Sequence, residues 1–505
     1  MRWTAGSILT CSPGDARSRR LLCVLRTLVT HFTQLLRQSR RPLNVHRFDF
    51  SRHRYFERFL VCGDVDLVVA HTARDEEGVT AAEGRNRAVL EFDDQFRIAG
   101  IDCGESIRET PEVPPSLPAL SAPPVSPLEA ARQLAPLIRA SADEIDAARE
   151  LPRPLFEAIA DAGLFHMAVP LAIGGSEVDF PTYVQVIEEL GKADASTAWA
   201  VNQGATFGTY AARMAPHVAR EIWIDTPRAV VANTPAPTAK AIVVAGGFRV
   251  TGNQPFSTGC RHSSWVAPHA QIIENGEVRL TDGKPEVRYC LVPISQAELL
   301  DTWHTRGMRG TGTHNFVVND VFVPEERSVF PRGAPVLTGG ARYRIPHTLG
   351  FAGGDAAVAL GVARSCLDAF YDHAGKNTQR YAKGLVRNEP IVQYTVGQAE
   401  AWIRCGRAFL MEAVRDMWDE ASAGTVTMER RAALRVATTH AIRLAAQVVE
   451  SIYTLSGSAA IFEGRLIQRH FQDIHVITQH VQGRLGNYEV VGQHWLGLSV
   501  DELRL

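Results

Sequence analysis

No cysteine pair of the C-x-x-C kind occurs in the 505 residues; the eight cysteines, at 11, 23, 62, 103, 260, 290, 366 and 405, are scattered. Such spacing indicates neither a thiolate zinc site nor a disulfide framework, and reduced thiols in a cytoplasm are the simplest consequence. Long apolar runs are missing too: none reaches the ~18–20 residues of a membrane span. Net charge is nearly absent, at −2, which argues against whole-protein binding to nucleic acid or an anionic membrane. No strand followed by G-x-G-x-x-G opens a helix and no Walker lysine occurs, so no nicotinamide dinucleotide site is expected on this chain. Lysine is absent from residues 1–48, where arginine recurs (Arg2, Arg17, Arg19, Arg20, Arg26, Arg37, Arg40, Arg41 and Arg47) and Asp15 is the only acid. Arg26 interrupts the only apolar run there, so this is no secretory signal. A transit peptide, a basic arm or an annexed upstream reading frame each suits it, and we read it as a dispensable extension.

What is present has an ordinary globular mix, 45% hydrophobic and 21% charged, in a length that implies two to four domains. Residues 1–108 read as an extension of unknown role, with a helix expected from Tyr55 to Leu67 and strands at Arg87–Phe92 and Phe96–Ile101. Residues 109–127 are a proline-rich linker. Helical periodicity follows over 128–232 (Leu128–Ala147, Leu155–Ala162, Tyr183–Leu190). Short strand-like runs separated by Gly, Asn and Pro fill 233–335, as in an antiparallel barrel or sandwich. Long helical segments return over 336–505. The fold class is therefore α+β: helices, an antiparallel β-domain, a helical bundle.

Near the end, Leu466–His480 contains neither Gly nor Pro and repeats its apolar residues at helical spacing. On one helix Arg469 and Asp473 are i,i+4 neighbours able to pair, and His480 follows two turns after Asp473. A cation, a carboxylate and an imidazole would then lie along one face. A structural ion pair and a packed histidine is the plainer alternative.

Several segments resemble the acyl-CoA dehydrogenase superfamily. These are Gly163-Leu164, Val169-Pro170, Gly174-Gly175, Glu188-Glu189-Leu190 and Asp194–Trp199, then Gly247–Cys260, Gly307–His314, Asp320–Pro324, and Arg469–Asp473. Gln472 replaces the second arginine of the last element. The resemblance implies an acyl-CoA dehydrogenase-like fold ending in a four-helix bundle. It also implies a choice between thioester dehydrogenases and monooxygenases that use reduced flavin. A dehydrogenase needs a carboxylate base, and the two positions where relatives carry one fall on Val481 and about Phe351, neither of which accepts a proton. His480 stands where the monooxygenase branch has a histidine, and Phe256-Ser257-Thr258-Gly259 has that branch's form.

By that resemblance the chain is the oxygenase component of a two-component monooxygenase that hydroxylates an aromatic or natural-product-like molecule through a C4a-hydroperoxyflavin. His480 and Thr258 would be catalytic, the threonine accepting from flavin N5–H. Phe256, Ser257, Thr258, Arg309 and Thr311 would hold the flavin, FMN rather than FAD. Trp199, Phe207, Asn233 and Trp303 would flank the substrate; relatives with phenolic substrates often have histidine at the position of Phe207. A separate flavin reductase and a homotetramer are implied. Two alternatives stay open: a flavin dehydrogenase or oxidase with an unusual base, and a non-catalytic member.

Overall fold

The computed structural model describes residues 57–62, 65–70, 125–378, 384–501 and 505. The chain divides into two units, Met1–Pro114 and Pro115–Leu505. In the first, Glu57–Cys62 and Val65–Ala70 form an antiparallel hairpin. The expected helix from Tyr55 to Leu67 is thus corrected. Its aromatic and β-branched residues flank a Gly63-Asp64 dipeptide, which is a hairpin signal rather than a helical one. The expected strands at 87–101, the arginine-rich segment and most of the proline-rich linker lie outside the described residues.

The second unit opens on Ser126, whose hydroxyl accepts from the Glu129 amide and caps helix Pro127–Ala140; proline in the first turn loses no helical hydrogen bond. The single helix expected over Leu128–Ala147 is two, Pro127–Ala140 and Ala142–Ala148. At the junction the Ser141 hydroxyl turns back to the Leu137 carbonyl (3.0 Å), competing with the helical ladder. Helix Arg153–Asp161 follows. Asp194 then ends Phe180–Ala193 in extended backbone and caps Ala195–Phe207, accepting from the Thr197 amide at 2.7 Å. In Ala195–Phe207 every residue but Gln203 is buried. A helix buried all round has no amphipathic period, which is why periodicity alone did not mark it.

The β-domain holds an eight-stranded sheet. Its order is Glu298–Leu300, His314–Pro324, Gly247–Ser257, Ala239–Val244, His269–Glu274, Val287–Cys290 and Ser328–Val329, with Glu277–Val278 paired to His269–Glu274. Pairing is antiparallel except between Ala239–Val244 and His269–Glu274. A smaller sheet sets Val231–Asn233 parallel to Trp265–Ala267. These parallel contacts depart from the purely antiparallel expectation, because strands this short carry no pattern that separates the two modes. Helices His347–Lys376, Pro390–Ala423, Met428–Ser456 and Leu466–Gln479 make the bundle. Its core includes Val358, Leu360, Leu410, Met417, Ile442, Val449 and Ile477, all fully or nearly fully buried, each contributing on the order of 1.5–3 kcal/mol. That core is continuous with the N-terminal helices, so the bundle fixes where Ala195–Phe207 lies.

Candidate active site

The helix Leu466–Gln479 ends one residue before His480, which leaves in extended backbone as its C-cap. The expected single-file arrangement is therefore corrected. The Arg469 guanidinium pairs with Asp143 of the N-terminal helices, not with Asp473. Asp473 is buried and accepts from the Met308 amide at 2.6 Å. Burial raises its pKa to about 7, only partly offset by that amide. Gly307 permits this docking: a Cβ there would sit 2.2 Å from the Gln472 carbonyl oxygen. The element thus ties loop 307–313 to the bundle by one carboxylate and one close backbone approach.

His480 is held elsewhere. Its ring stands edge-on to Trp199, centroids 5.0 Å apart, and its Nδ1 lies 3.1 Å from Oδ2 of fully buried Asp355. The approach is too oblique to satisfy either atom as a hydrogen bond, so the contact is chiefly electrostatic. A carboxylate there favours the tautomer with hydrogen on Nδ1 and leaves Nε2 as an acceptor. Oδ1 of Asp355 accepts from Asn202 Nδ2 (2.9 Å) and Gln203 Nε2 (3.2 Å), which fixes the carboxylate. Gly354 makes room: a Cβ there would meet Asn202 Oδ1 at 1.9 Å. The turn after His480 is clamped by Arg435 to the Gln482 side chain, Arg443 to the Gly483 carbonyl, and Thr439 to the Gln482 carbonyl (2.9 Å).

Thr258 directly follows the central strand Gly247–Ser257. Thr311 Oγ1 donates to the Met308 carbonyl at 2.9 Å and lies 2.7 Å from Thr313 Oγ1, which is 3.0 Å from Thr258 Oγ1. Each hydroxyl has one proton. With that of Thr311 committed to Met308, Thr313 donates to Thr311 and Thr258 donates to Thr313. The relay runs one way and leaves Thr258 only lone pairs to offer outward. Beside it Phe256 has φ +59° and is 59% exposed, edge-on to Trp303 at 6.3 Å, and the buried Ser257 hydroxyl has no partner. A left-handed bulky residue is a strained conformation that the surrounding structure must hold.

A flavin ring fits these residues: Phe256 and Trp303 offer apolar faces, Thr258 an acceptor for a ring N–H, and Ser257 an unmet hydroxyl. The helix Ala195–Phe207 joins this face to the imidazole, since Ala200 and Thr258 border one void of about 10 Å³ while the adjacent Trp199 carries His480.

The remaining expected residues are placed as follows. Arg309 is largely engaged by the Asp146 carbonyl (3.0 Å), the Thr305 carbonyl (3.1 Å) and the Asp146 carboxylate (3.4 Å). Trp303 donates its indole N–H to Met308 (2.9 Å). Phe207 is buried among Tyr210, Tyr289 and His347, away from the His480 contact. Asn233 ends its strand beside buried Thr234. Phe351 is in the first bundle helix, and Val481 follows His480 with 45% exposure. Sequence reading missed Asp355, although a lone acid in Gly353-Gly354-Asp355-Ala356-Ala357 is a visible signal. Among the described residues no group of His, Cys, Asp and Glu suits a metal, and no helix is long and apolar enough to cross a membrane.

Comparison with known proteins bears on this site. Residues 129–225 match the acyl-CoA dehydrogenase N-terminal domain family, and residues 354–484 match the acyl-CoA dehydrogenase C-terminal domain family. The indole-3-acetate monooxygenase of Pseudomonas putida is 31% identical over 362 residues, 71% of this chain and 90% of that protein. The FADH(2)-dependent resorcinol hydroxylase oxygenase component of a Rhizobium species is 27% identical, over 76% of this chain and 97% of its own. The crystal structure of the HsaA monooxygenase from M. tuberculosis superposes with a TM-score of 0.69 at 26% identity, covering 75% of this chain and 99% of that one.

Proposed function

This chain belongs to the acyl-CoA dehydrogenase superfamily, as the oxygenase component of a two-component flavin-dependent monooxygenase, and on that premise we propose that its site hydroxylates an aromatic or natural-product-like small molecule. When bound, reduced flavin supplies the two electrons that divide O2 between the substrate and water. The rest falls to the chain's own side chains. Thr258 would accept from the ring N–H, and Phe256, Ser257 and Thr311 would hold the flavin, as the family resemblance implies. Nε2 of His480 takes a proton from the substrate, while Asp355 holds the opposite nitrogen protonated and steadies the cation that forms. Arg309 keeps the loop in place, and any guanidinium hydrogen left over would be what it offers the flavin. Trp199 orients the imidazole. The family resemblance would set Trp303, Phe207 and Asn233 around the substrate, with exclusion of water as the common purpose.

One observation carries the reading: an imidazole backed by a buried carboxylate stands where a thioester dehydrogenase needs a free carboxylate. Asp355 does not serve as that base in its own right, because it is fully buried with one oxygen bonded by two amides and the other against His480. Reduced flavin comes from a partner reductase, since the chain is an oxygenase component. FMN over FAD, a homotetramer and a cytoplasmic location are the finer readings, taken from the family resemblance and the reduced cysteines.

The test is an anaerobic titration with reduced FMN and reduced FAD, followed by isotopically labelled O2 together with indole-3-acetate or resorcinol. A product with one labelled oxygen atom is expected. Bound oxidised flavin bleached anaerobically by an acyl thioester alone would contradict the reading.

A further inference from the structure

The oxygen of Asp355 that does not face His480 ends a line of buried groups. Asn202 is fully buried; its Nδ2 donates to that oxygen at 2.9 Å, and its Oδ1 accepts from the Tyr183 hydroxyl at 2.8 Å. Thr206 Oγ1 lies 2.8 Å from the same phenolic oxygen, and its contact with Asn202 Oδ1 is longer, at 3.3 Å. A phenol has one hydrogen and a carboxylate only accepts. With the Tyr183 hydrogen given to Asn202, the Thr206 hydroxyl donates to Tyr183, and every hydrogen in the line points towards Asp355. The direction is forced at the amide: turned over, Asn202 would set its oxygen against the carboxylate. Close packing brings the line together, since a Cβ on Gly353 would sit 2.6 Å from the ring of Phe180, on the helix that carries Tyr183.

What covers Tyr183 is a charge. The Arg342 guanidinium lies 4.2 Å from the centre of the Tyr183 ring and 4.9 Å from that of Phe180. Arg342 is buried, and neither of its terminal nitrogens has a hydrogen-bond partner. A buried cation with no carboxylate is costly, so the two ring faces are what meets it. A cation there draws electron density from the phenol and makes its hydroxyl a stronger donor. Burial outweighs that pull and raises the Tyr183 pKa above its ordinary value, so the hydroxyl keeps its hydrogen. From other elements, the charged groups near Asp355 are His480 and Arg435, and the Arg435 guanidinium is taken by Gln482.

We propose that Tyr183 is a positioning residue: by fixing the Asn202 amide it holds the Asp355 carboxylate against His480 Nδ1, and so keeps His480 Nε2 free to accept a proton. This rests on the base assigned to His480 in the oxygenase reading and deepens it. Without the phenolic oxygen, Asn202 Oδ1 keeps only the longer Thr206 contact, the amide is free to turn, and Asp355 loses a donor. The ring hydrogen of His480 is then shared between both nitrogens.

The test is nuclear magnetic resonance of protein labelled with heavy nitrogen in its histidine rings, with His480→Gln identifying the signals and circular dichroism checking that variants fold. The wild type is expected to hold the His480 hydrogen on Nδ1, Tyr183→Phe to show a mixture of tautomers, and Asp355→Asn the opposite tautomer. Adding Tyr183→Phe to Asp355→Asn is expected to change nothing further. Asn202→Leu breaks the line at its next link, is expected to give the same mixture, and decides the matter should Tyr183→Phe not fold. With indole-3-acetate as probe, Tyr183→Phe is expected to lower kcat about tenfold with KM and reduced-flavin affinity unchanged, and to lower it no further in the double variant than Asp355→Asn does alone. Wild-type His480 signals in the folded variants, or losses that multiply in the double variant, overturn the proposal. So does a wild type with hydrogen on Nε2, which removes the base assigned to His480 as well. Expected tautomers in a wild type that yields no labelled product from the probe support the positioning and count against the hydroxylase reading alone.

Discussion

At the scale of single residues, the role proposed for His480 depends on which of its nitrogens bears hydrogen. Asp355→Asn keeps an oxygen for Asn202 and Gln203 but turns an amide N–H towards His480 Nδ1. The imidazole then takes the opposite tautomer and Nε2 can no longer accept. Steady-state kinetics are expected to show kcat reduced by ~10²–10⁴, with reduced-flavin affinity unchanged. An unchanged kcat would mean that the pair is structural. Thr258→Val removes the terminal acceptor of the threonine relay while keeping its shape. Hydrogen peroxide released per hydroxylated product, measured by a peroxidase-coupled assay, is expected to rise several-fold.

At the scale of elements, the loop 307–313 hangs on Asp473. Its pKa is about 7 in the fold against 3.8 unfolded, so the folded state holds this proton more tightly. The stability it contributes is present below about pH 4 and is lost as pH rises through about 7, at ~1.4 kcal/mol per pH unit at most. Asp473→Asn, which can still accept from Met308, is expected to flatten the urea-midpoint profile over that window and to unfold later than wild type at about pH 8. Gly354→Ala drives a methyl into Asn202 and is expected to lower stability by ~1–3 kcal/mol in the same assay, with activity falling further because Asp355 moves with it.

The same scale shows what the sequence could and could not disclose. The long bundle helices were plain because their apolar residues recur at helical spacing over several turns. The strand Gly247–Ser257 was plain only as far as Asn253, because Gly252, Asn253 and Pro255 lie inside it and read as a break; its remainder was marked by the family resemblance. Ala195–Phe207 was recognisable by motif but not by period, since burial on all sides removes the polar face. His480 and Thr258 could be named from position in a motif. Asp355 could not be weighed, because its importance comes from a helix 150 residues earlier closing on Gly354, and no local pattern encodes that approach. Arg469 and Asp473 misled for a related reason: i,i+4 spacing permits a pair, but Asp143 and the Met308 amide, both far away in sequence, bind these side chains instead.

For the whole molecule, several buried histidines set the acid limit. Burial holds His269 at about 4 and both His347 and His470 at about 3, below the 6.5 of an exposed imidazole. Their stabilisation is present above about pH 6.5 and is lost as pH falls through those folded values. Thermal melts are expected to show Tm falling steadily below about pH 6, in the direction opposite to the Asp473 effect. The flavin face and the His480–Asp355 pair both belong to the second unit, so a chain of residues 115–505 is expected to fold and bind reduced flavin with unchanged affinity in the same titration.

The most direct measurement is stopped-flow mixing of the protein, loaded anaerobically with reduced flavin, against O2, followed by absorbance without any substrate. Two phases are predicted: a fast near-ultraviolet change, then a slow return of the oxidised-flavin band, with the second phase much faster in Thr258→Val. A single phase at the rate of free reduced flavin, unaltered by that substitution, would contradict the assignment of this chain's residues to oxygen chemistry.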